Sequence, residues 1–267
     1  MIPALAVYNE LKEKVTFLYR QLKLSTYVNT AGRKLALPLI EILTLALYKQ
    51  TQNIKTKVAI WRDFKPPCSY KTLVVNMNRF LLVALRILLL ILRKNRSRAH
   101  LIKHTDGTDI PVCLPKNAKS HRTMRGLAAW GYSGKGLFYG LKLYLTSDLK
   151  RQMLSILFTP GNTHGTRAFI QLNKDIEGIV VADAEFVSEK LQREFYQEHK
   201  RILFARPRKN MRKISTWWQR KLYETRVMIE FNFRDLKMFY GIETSVTRSV
   251  DGTFANYFYA LLAYALR

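Results

Sequence analysis

Cysteine is scarce. Cys68 and Cys113 stand far apart and in no Cys-x-x-Cys spacing, which suggests neither a disulfide framework nor a cysteine zinc site. Acid is scarce as well: 19 Asp and Glu face 45 Lys and Arg, leaving a formal charge of +26 and a pI near 10.2. That excess is larger than solubility requires and points to a polyanionic partner. Long apolar runs are missing too. The strongest, FLLVALRILLLILRK at residues 80–94, holds about 13 apolar residues interrupted by Arg86, against the roughly 20 needed to span a bilayer. The start, MIPALAVYNELKEK, has no basic n-region and no small-residue cleavage site, so the expected location is cytoplasmic with no membrane partner.

What the chain does have is 48% hydrophobic content over 267 residues, ample for one large core or two smaller ones. Its basic residues are spread along the whole length, so the folded body itself is expected to meet nucleic acid. From residue 8 to about 97 the pattern is helical, in the runs YNELKEKVTFLYRQLK, LIEILTLALYKQ, VAIWRDF and YKTLVVNMNRFLLVALRILLLILRK. The expected organisation is an all-helical domain at 1–98, either DNA-binding or a structural cap, followed by a second domain at 99–267. In the second part, residues 102–113, 136–146 and 153–159 read as strands, the last two as a hairpin. A loop and short helix (PGNTHGTRAFIQLN), a buried strand ending at Asp183, a helix, the strand RILFA, the basic loop RPRKNMRK and a long helix follow. Strands and helices in that order match an α/β fold, a ribonuclease H-like mixed sheet flanked by helices.

The last helix carries YETRVMIEFNFRDLK, residues 223–237. At about 100° per residue, Arg226, Glu230 and Lys237 fall roughly 60°, 20° and 40° round from Tyr223, all on one side. One reading is a solvated face with an Arg-to-Glu pair at i,i+4. The other joins Glu230 to two distant acids, Asp106 on the first strand and Asp183 beyond the fourth, since ligand sites in such sheets gather past strand ends. Each acid also has a plain structural reading: Asp106 as a turn former with Gly107, Asp183 as a helix N-cap, Glu230 as a partner of Arg226 or Arg234. Three carboxylates at one edge would repel into partial protonation unless a cation joined them. Histidines 100, 104, 121, 164 and 199 show no zinc-type spacing, so oxygen donors favour Mg²⁺ or Mn²⁺. Two such ions suit phosphodiester chemistry.

These residues resemble the DDE transposases of bacterial insertion sequences, specifically the subgroup with the signature Y-x-x-R-x-x-x-E-x-x-x-x-x-x-K, met at Tyr223, Arg226, Glu230 and Lys237. Further likeness lies in TDGTDIPVC, GYSGKGLFYGLKLYL, TPGNTHG, ADAEFVSEKL and RPRKNMRK, over roughly residues 100–250. The resemblance implies that Asp106, Asp183 and Glu230 are the catalytic, metal-binding triad for two Mg²⁺ or Mn²⁺ ions. It implies that Tyr223, Arg226 and Lys237 contact the DNA backbone near the cleavage point. It also implies cleavage at the element's ends, strand transfer into target DNA, terminal inverted repeats as partners, at least a homodimer on paired ends, and a nucleoid-associated location. Departures occur at Asp109, where proline is common, at Tyr144, where histidine is common, and at Glu185, where a Gly-Tyr pair is usual. Lys135 and Lys142 of the hairpin, and Arg206, Arg208, Lys209, Arg212 and Lys213 of the basic loop, are expected to track phosphates. Trp130, Trp217 and Trp218 read as core packing or as stacking surfaces for unpaired bases. A nuclease that cuts without joining, and an inactive DNA-binding remnant of a mobile element, are the competing readings.

Overall fold

The structure, a computed structural model, describes residues 2–28, 34–199, 201–206, 216–244 and 247–267. Five helices come first: α1 (Ile2–Gln21), α2 (Leu39–Thr51), α3 (Lys57–Phe64), α4 (Tyr70–Arg79) and α5 (Leu81–Arg96). Then follow β1 (Ile102–Cys113), β2 (Ala129–Ser133), β3 (Gly136–Asp148), β4 (Met153–Pro160), α6 (Gly165–Leu172), β5 (Ile179–Ala182), α7 (Glu189–His199), β6 (Ile202–Ala205), α8 (Trp217–Glu224), α9 (Val227–Met238) and α10 (Val250–Ala265). Two compact units result, one of Met1–Ile91 with Asp235–Arg267, the other of Leu92–Arg234. The expected single boundary near residue 98 therefore differs from the division observed. The last 33 residues fold with the N-terminal helices because α10 is apolar on most sides and needs a helical core to enter.

In the helical unit α2 is the central element, with ten of its 13 residues buried. Tyr8, Tyr48 and Phe64 pack their rings together at centroid distances of 5.0 to 6.1 Å, tying α1, α2 and α3. Thr56, Ser69 and Ser249 cap α3, α4 and α10 by accepting from backbone N–H groups three residues on. Gln50 donates to both the carbonyl and the side-chain oxygen of Asn256 at 2.8 Å, and Tyr259 donates to the Met77 carbonyl at 3.0 Å. The run read as one helix from residue 70 is two, bent by 41°, with the Phe80 ring buried at the break. Among the described residues no single helix is long and apolar enough to cross a membrane, and only this bent pair passes that test when joined.

The other unit is built on a six-stranded mixed sheet in the order β2-β3-β1-β5-β6, with β4 on the remaining length of β3. β1, β2 and β4 each pair antiparallel with β3, whereas β5 and β6 run parallel to β1. Strand β1 occupies the span read from the sequence. Strand β2 was not expected as a separate element: AWGYS is five residues with a central glycine, and its pairing with residues 136–140 of β3 makes it a strand. One sheet face carries Tyr144, Val180 and Ala182, which form a core with Phe169 and Leu172 of α6, Phe186, and Leu191 and Phe195 of α7. Burying such aliphatic and aromatic side chains, at roughly 25 cal/mol per Å² of apolar surface, is what fixes the helices to that face.

Candidate active site

Sheet register brings the first two acids together. Thr105 of β1 pairs in parallel with Ala182, the last residue of β5, so Asp106 and Asp183 occupy the next register position. Asp183 keeps the chain extended (φ −74°, ψ 171°), continuing the strand by one residue. Neighbouring strands lie about 4.8 Å apart and side chains alternate between faces. Both carboxylates thus stand on the face opposite the α6–α7 core. Asp183 occupies the N-cap position of the short 3-10 turn Ala184–Phe186, yet its side chain makes no capping bond there. Its Oδ1 instead accepts from the Tyr223 phenol at 3.0 Å.

The third acid arrives through a guanidinium. Arg226 donates through Nη1 to Asp106 Oδ2 in a short, charge-assisted contact and through Nη2 to Glu230 Oε1 at 2.6 Å. Asp106 Oδ1 accepts from the Gly107 N–H at 2.8 Å, so both oxygens of this carboxylate are engaged. Asp106 and Arg226 are 17% and 15% exposed, Glu230 53%. Burial pushes the Asp106 carboxyl up to about 6, against the lowering effect of Arg226 and the Gly107 N–H, and the Asp183 charge raises it further. Opposing charge from Asp106, Asp183, Tyr223 and Glu230 in turn raises the Arg226 guanidinium beyond its ordinary value despite burial.

The signature residues do not lie on one continuous helix. Helix α8 ends at Glu224 and α9 begins at Val227, with Thr225 and Arg226 in a tight turn of i,i+3 hydrogen bonds. Thr225 is the cause: its Oγ1 donates to the Leu222 carbonyl at 2.6 Å and lies 2.8 Å from His104 Nε2, a side-chain bond that competes with the helical ladder. His104 is fully buried, and desolvation lowers its pKa to about 4, so it is neutral at pH 7. Sequence reasoning passed over this residue, although period-2 alternation already placed it on the Asp106 face of β1.

Other expected contacts fall out differently. Lys142 lies 3.8 Å from Glu185, whose Oε1 also accepts from the Gly165 N–H at 2.7 Å at the start of α6. This ammonium is thereby tied to the sheet surface. Lys135 sits in the β2–β3 turn, ten residues from Leu145, the β3 partner of Asp106. At about 3.3 Å per residue that is roughly 30 Å, so Lys135 does not join the carboxylates. Lys237 belongs to the helical unit and pairs with Glu243 at 2.6 Å. Arg206 stands 5.0 Å over the Tyr223 ring, whereas Arg208, Lys209, Arg212 and Lys213 lie outside the described residues. Trp217 and Trp218 are 61% and 72% exposed, edge to face at 4.8 Å, and Trp130 is exposed also, so packing claims none of the three.

A family model described as a transposase DDE domain matches residues 96–250, more than half of the chain. The chain belongs to the DDE transposase family. The matched span contains Asp106, Asp183 and Glu230 together with Tyr223, Arg226 and Lys237. The chain is also similar to a cryo-EM structure of a piggyBac transposase synaptic complex with hairpin DNA. The TM-score is 0.42 at 13% identity, over 79% of this chain and 52% of that one. It thus spans about half the length of that transposase. No curated protein matches it.

The donor chemistry at the site suits a hard divalent cation, since the three carboxylates offer oxygen alone. The arrangement of the side chains is less open than expected. Among the described residues, no group of three or more His, Cys, Asp or Glu stands ready to hold a metal ion. The acids gather round a guanidinium instead, because a buried Asp106 requires a counter-charge and Arg226 supplies it.

Proposed function

We propose that the chain is an insertion-sequence transposase that cuts a phosphodiester at the element's terminal repeats with water and then joins the freed 3′-OH to target DNA. In the first step the P–O bond to the 3′ oxygen breaks as the water oxygen bonds to phosphorus. In the second the 3′ oxygen bonds to a target phosphorus and the target's own 3′ oxygen leaves. The gathering of Asp106, Glu230 and Asp183 about the Arg226–Tyr223 turn carries this reading. We read the sheet as ribonuclease H-like, supported by a β1 that is antiparallel to β3 and parallel to β5 and β6.

Asp106, Asp183 and Glu230 are the residues proposed to hold divalent cations, two of Mg²⁺ or Mn²⁺. Such ions, when bound, make an oxygen nucleophile at neutral pH and stabilise the leaving oxygen. The chain's own groups do the rest. Tyr223 orients Asp183 through its phenol, and Arg226 and Lys237 neutralise backbone phosphate. His104 and Thr225 fix the turn that aims Arg226. The exposed Trp217 and Trp218, with Lys221 near the Trp217 ring at 5.9 Å, offer π faces for unpaired bases. The N-terminal helices are assigned to DNA-end binding, and paired ends call for a homodimer.

The experiment is strand cleavage and joining of DNA carrying the element's ends, with Mg²⁺ or Mn²⁺, by the wild-type chain and by Asp183→Asn and Glu230→Gln. Both variants are expected to fall to background, and unchanged cleavage by either removes the mechanism. Cut but unjoined products would favour a nuclease. A second reading, a DNA-binding remnant, draws on the Arg226 bridge that closes the carboxylates, and predicts binding with a salt slope of about −0.9 per phosphate neutralised but no metal-dependent turnover.

A further inference from the structure

We infer that Arg226 is an exchangeable internal cation: its guanidinium holds Asp106 and Glu230 closed to metal, and a DNA phosphate opens them by taking the guanidinium away. The inference rests on the metal-site reading above and adds a coupling between the two ligands. Arg226 engages one oxygen of Asp106 and one of Glu230, while the other Asp106 oxygen holds the Gly107 N–H and one Asp183 oxygen holds the Tyr223 phenol. Of the three carboxylates, Asp106 has both oxygens engaged, and the Arg226 guanidinium stands between it and Glu230.

Guanidinium departure has two requirements. Asp106 is buried beside Asp183, so a second cation must replace the first, or two like charges remain unscreened. Arg226 must also find an acceptor. A phosphate diester offers the same two-pronged, anionic oxygen geometry as the carboxylates, so the exchange swaps one charge-assisted pair for another. The route is present, because the Glu230 end of the bridge is half exposed while the Asp106 end is buried. The i,i+3 turn at Thr225 and Arg226 places this side chain outside either helix body. Metal and DNA then bind with positive, reciprocal coupling, typically 5- to 150-fold for a coupling of about 1–3 kcal/mol.

The test is Mn²⁺ binding read by electron paramagnetic resonance of the free ion, with no turnover required. Wild-type chain, Arg226→Gln and Arg206→Gln are compared, with and without a saturating short DNA duplex of mixed sequence. Arg206 touches the Tyr223 ring and makes no ion pair among the described residues, so its loss controls for removal of one nearby positive charge. Without DNA, Arg226→Gln is expected to bind Mn²⁺ about tenfold more tightly than both wild type and Arg206→Gln. DNA should strengthen Mn²⁺ binding in wild type and leave Arg226→Gln unchanged. Equal affinity in Arg226→Gln and Arg206→Gln overturns the exchange, as does a DNA effect that is absent in wild type or the same in Arg226→Gln. Failure of every protein to bind Mn²⁺, with or without DNA, removes the metal site itself. Circular dichroism of each variant confirms that the folds compared are the same.

Discussion

The phenol of Tyr223, at the end of α8, donates to Asp183 Oδ1 at 3.0 Å across 40 residues of sequence. Hydrogen bonds to a carboxylate contribute about 1.5–3 kcal/mol, enough to hold this acid in one rotamer. Tyr223→Phe keeps the ring that stands near Arg206 and Arg226 and removes the hydroxyl alone. Under the proposed mechanism, cleavage of end-containing DNA should fall about tenfold, and the urea midpoint should fall by the worth of that one bond. A variant that cleaves at the wild-type rate would show that the phenol positions nothing of consequence.

Lys49 and Lys57 give the helical unit an unusual pH dependence. Both ammonium groups are buried, their hydrogen bonds go to side-chain amides of Gln50, Asn256 and Asn78, and desolvation lowers each to about 8 from the ordinary 10.5, with Lys55 and Lys57 adding repulsion at Lys49. Between about pH 8 and 10.5 the folded state binds fewer protons than the unfolded chain, so stability rises with pH through this window. Above pH 10 the buried phenols of Tyr8, Tyr257 and Tyr259, all raised, act in the opposite sense. Lys49→Met should stabilise the chain at pH 7 by about 1–3 kcal/mol, a gain that shrinks toward pH 10. Urea denaturation at several pH values measures it, and a gain independent of pH would contradict the buried-charge account.

Gly107 and Tyr144 face each other across β1 and β3, and a Cβ at residue 107 would lie 2.5 and 2.7 Å from two ring carbons of Tyr144. That ring is fully buried and its hydroxyl donates to the Thr163 carbonyl at 3.0 Å, which leaves it nowhere to retreat. Gly107→Ala should therefore cost about 1–3 kcal/mol from overpacking. Cleavage should drop as well, since Asp106 is the adjacent residue and binds the Gly107 N–H. Adding Tyr144→Leu should recover part of the stability. A double variant no more stable than Gly107→Ala would place the strain elsewhere.

Arg201, 2% exposed, donates through Nη1 to the carbonyls of Asn173, Lys174 and Ile176 at 2.8 to 3.4 Å and lies 4.2 Å over the Phe195 ring. It closes the end of α6 onto the strand that leads to Asp183. Arg201→Met, which keeps bulk and loses the donors, should destabilise the chain by about 2–4 kcal/mol. Lysine should rescue incompletely because a point charge cannot reproduce the planar fork. Thermal unfolding of the two variants provides the comparison.

How far the sequence could be read depended on where each feature draws its stability. Strand β1 was legible to the residue because the change of texture after the basic run KNRSRAH is a local signal. Strand β2 was not, since a glycine-centred pentapeptide becomes a strand only through the edge of β3. The interruption of the signature helix followed from Thr225 meeting His104, 121 residues away, and no helical periodicity carries that contact. The surroundings of Lys135 and Lys142 were not legible: the first lies far from the carboxylates along β3, and the second stands beside Glu185. Asp106, Asp183 and Glu230 could be nominated from residue type and element order, whereas the guanidinium among them required the folded turn.

The pairing of Thr105 with Ala182 makes this chain sensitive to counting as well as to chemistry. Deleting one residue between Ile179 and Asp183 would turn the second acid through the sheet to its oily side, while most aliphatic neighbours found equivalent seats. Substitutions in β5 can drift within a hydrophobic alphabet, but its length cannot. Under the proposed mechanism, single-codon indels there should therefore abolish activity long before they abolish folding.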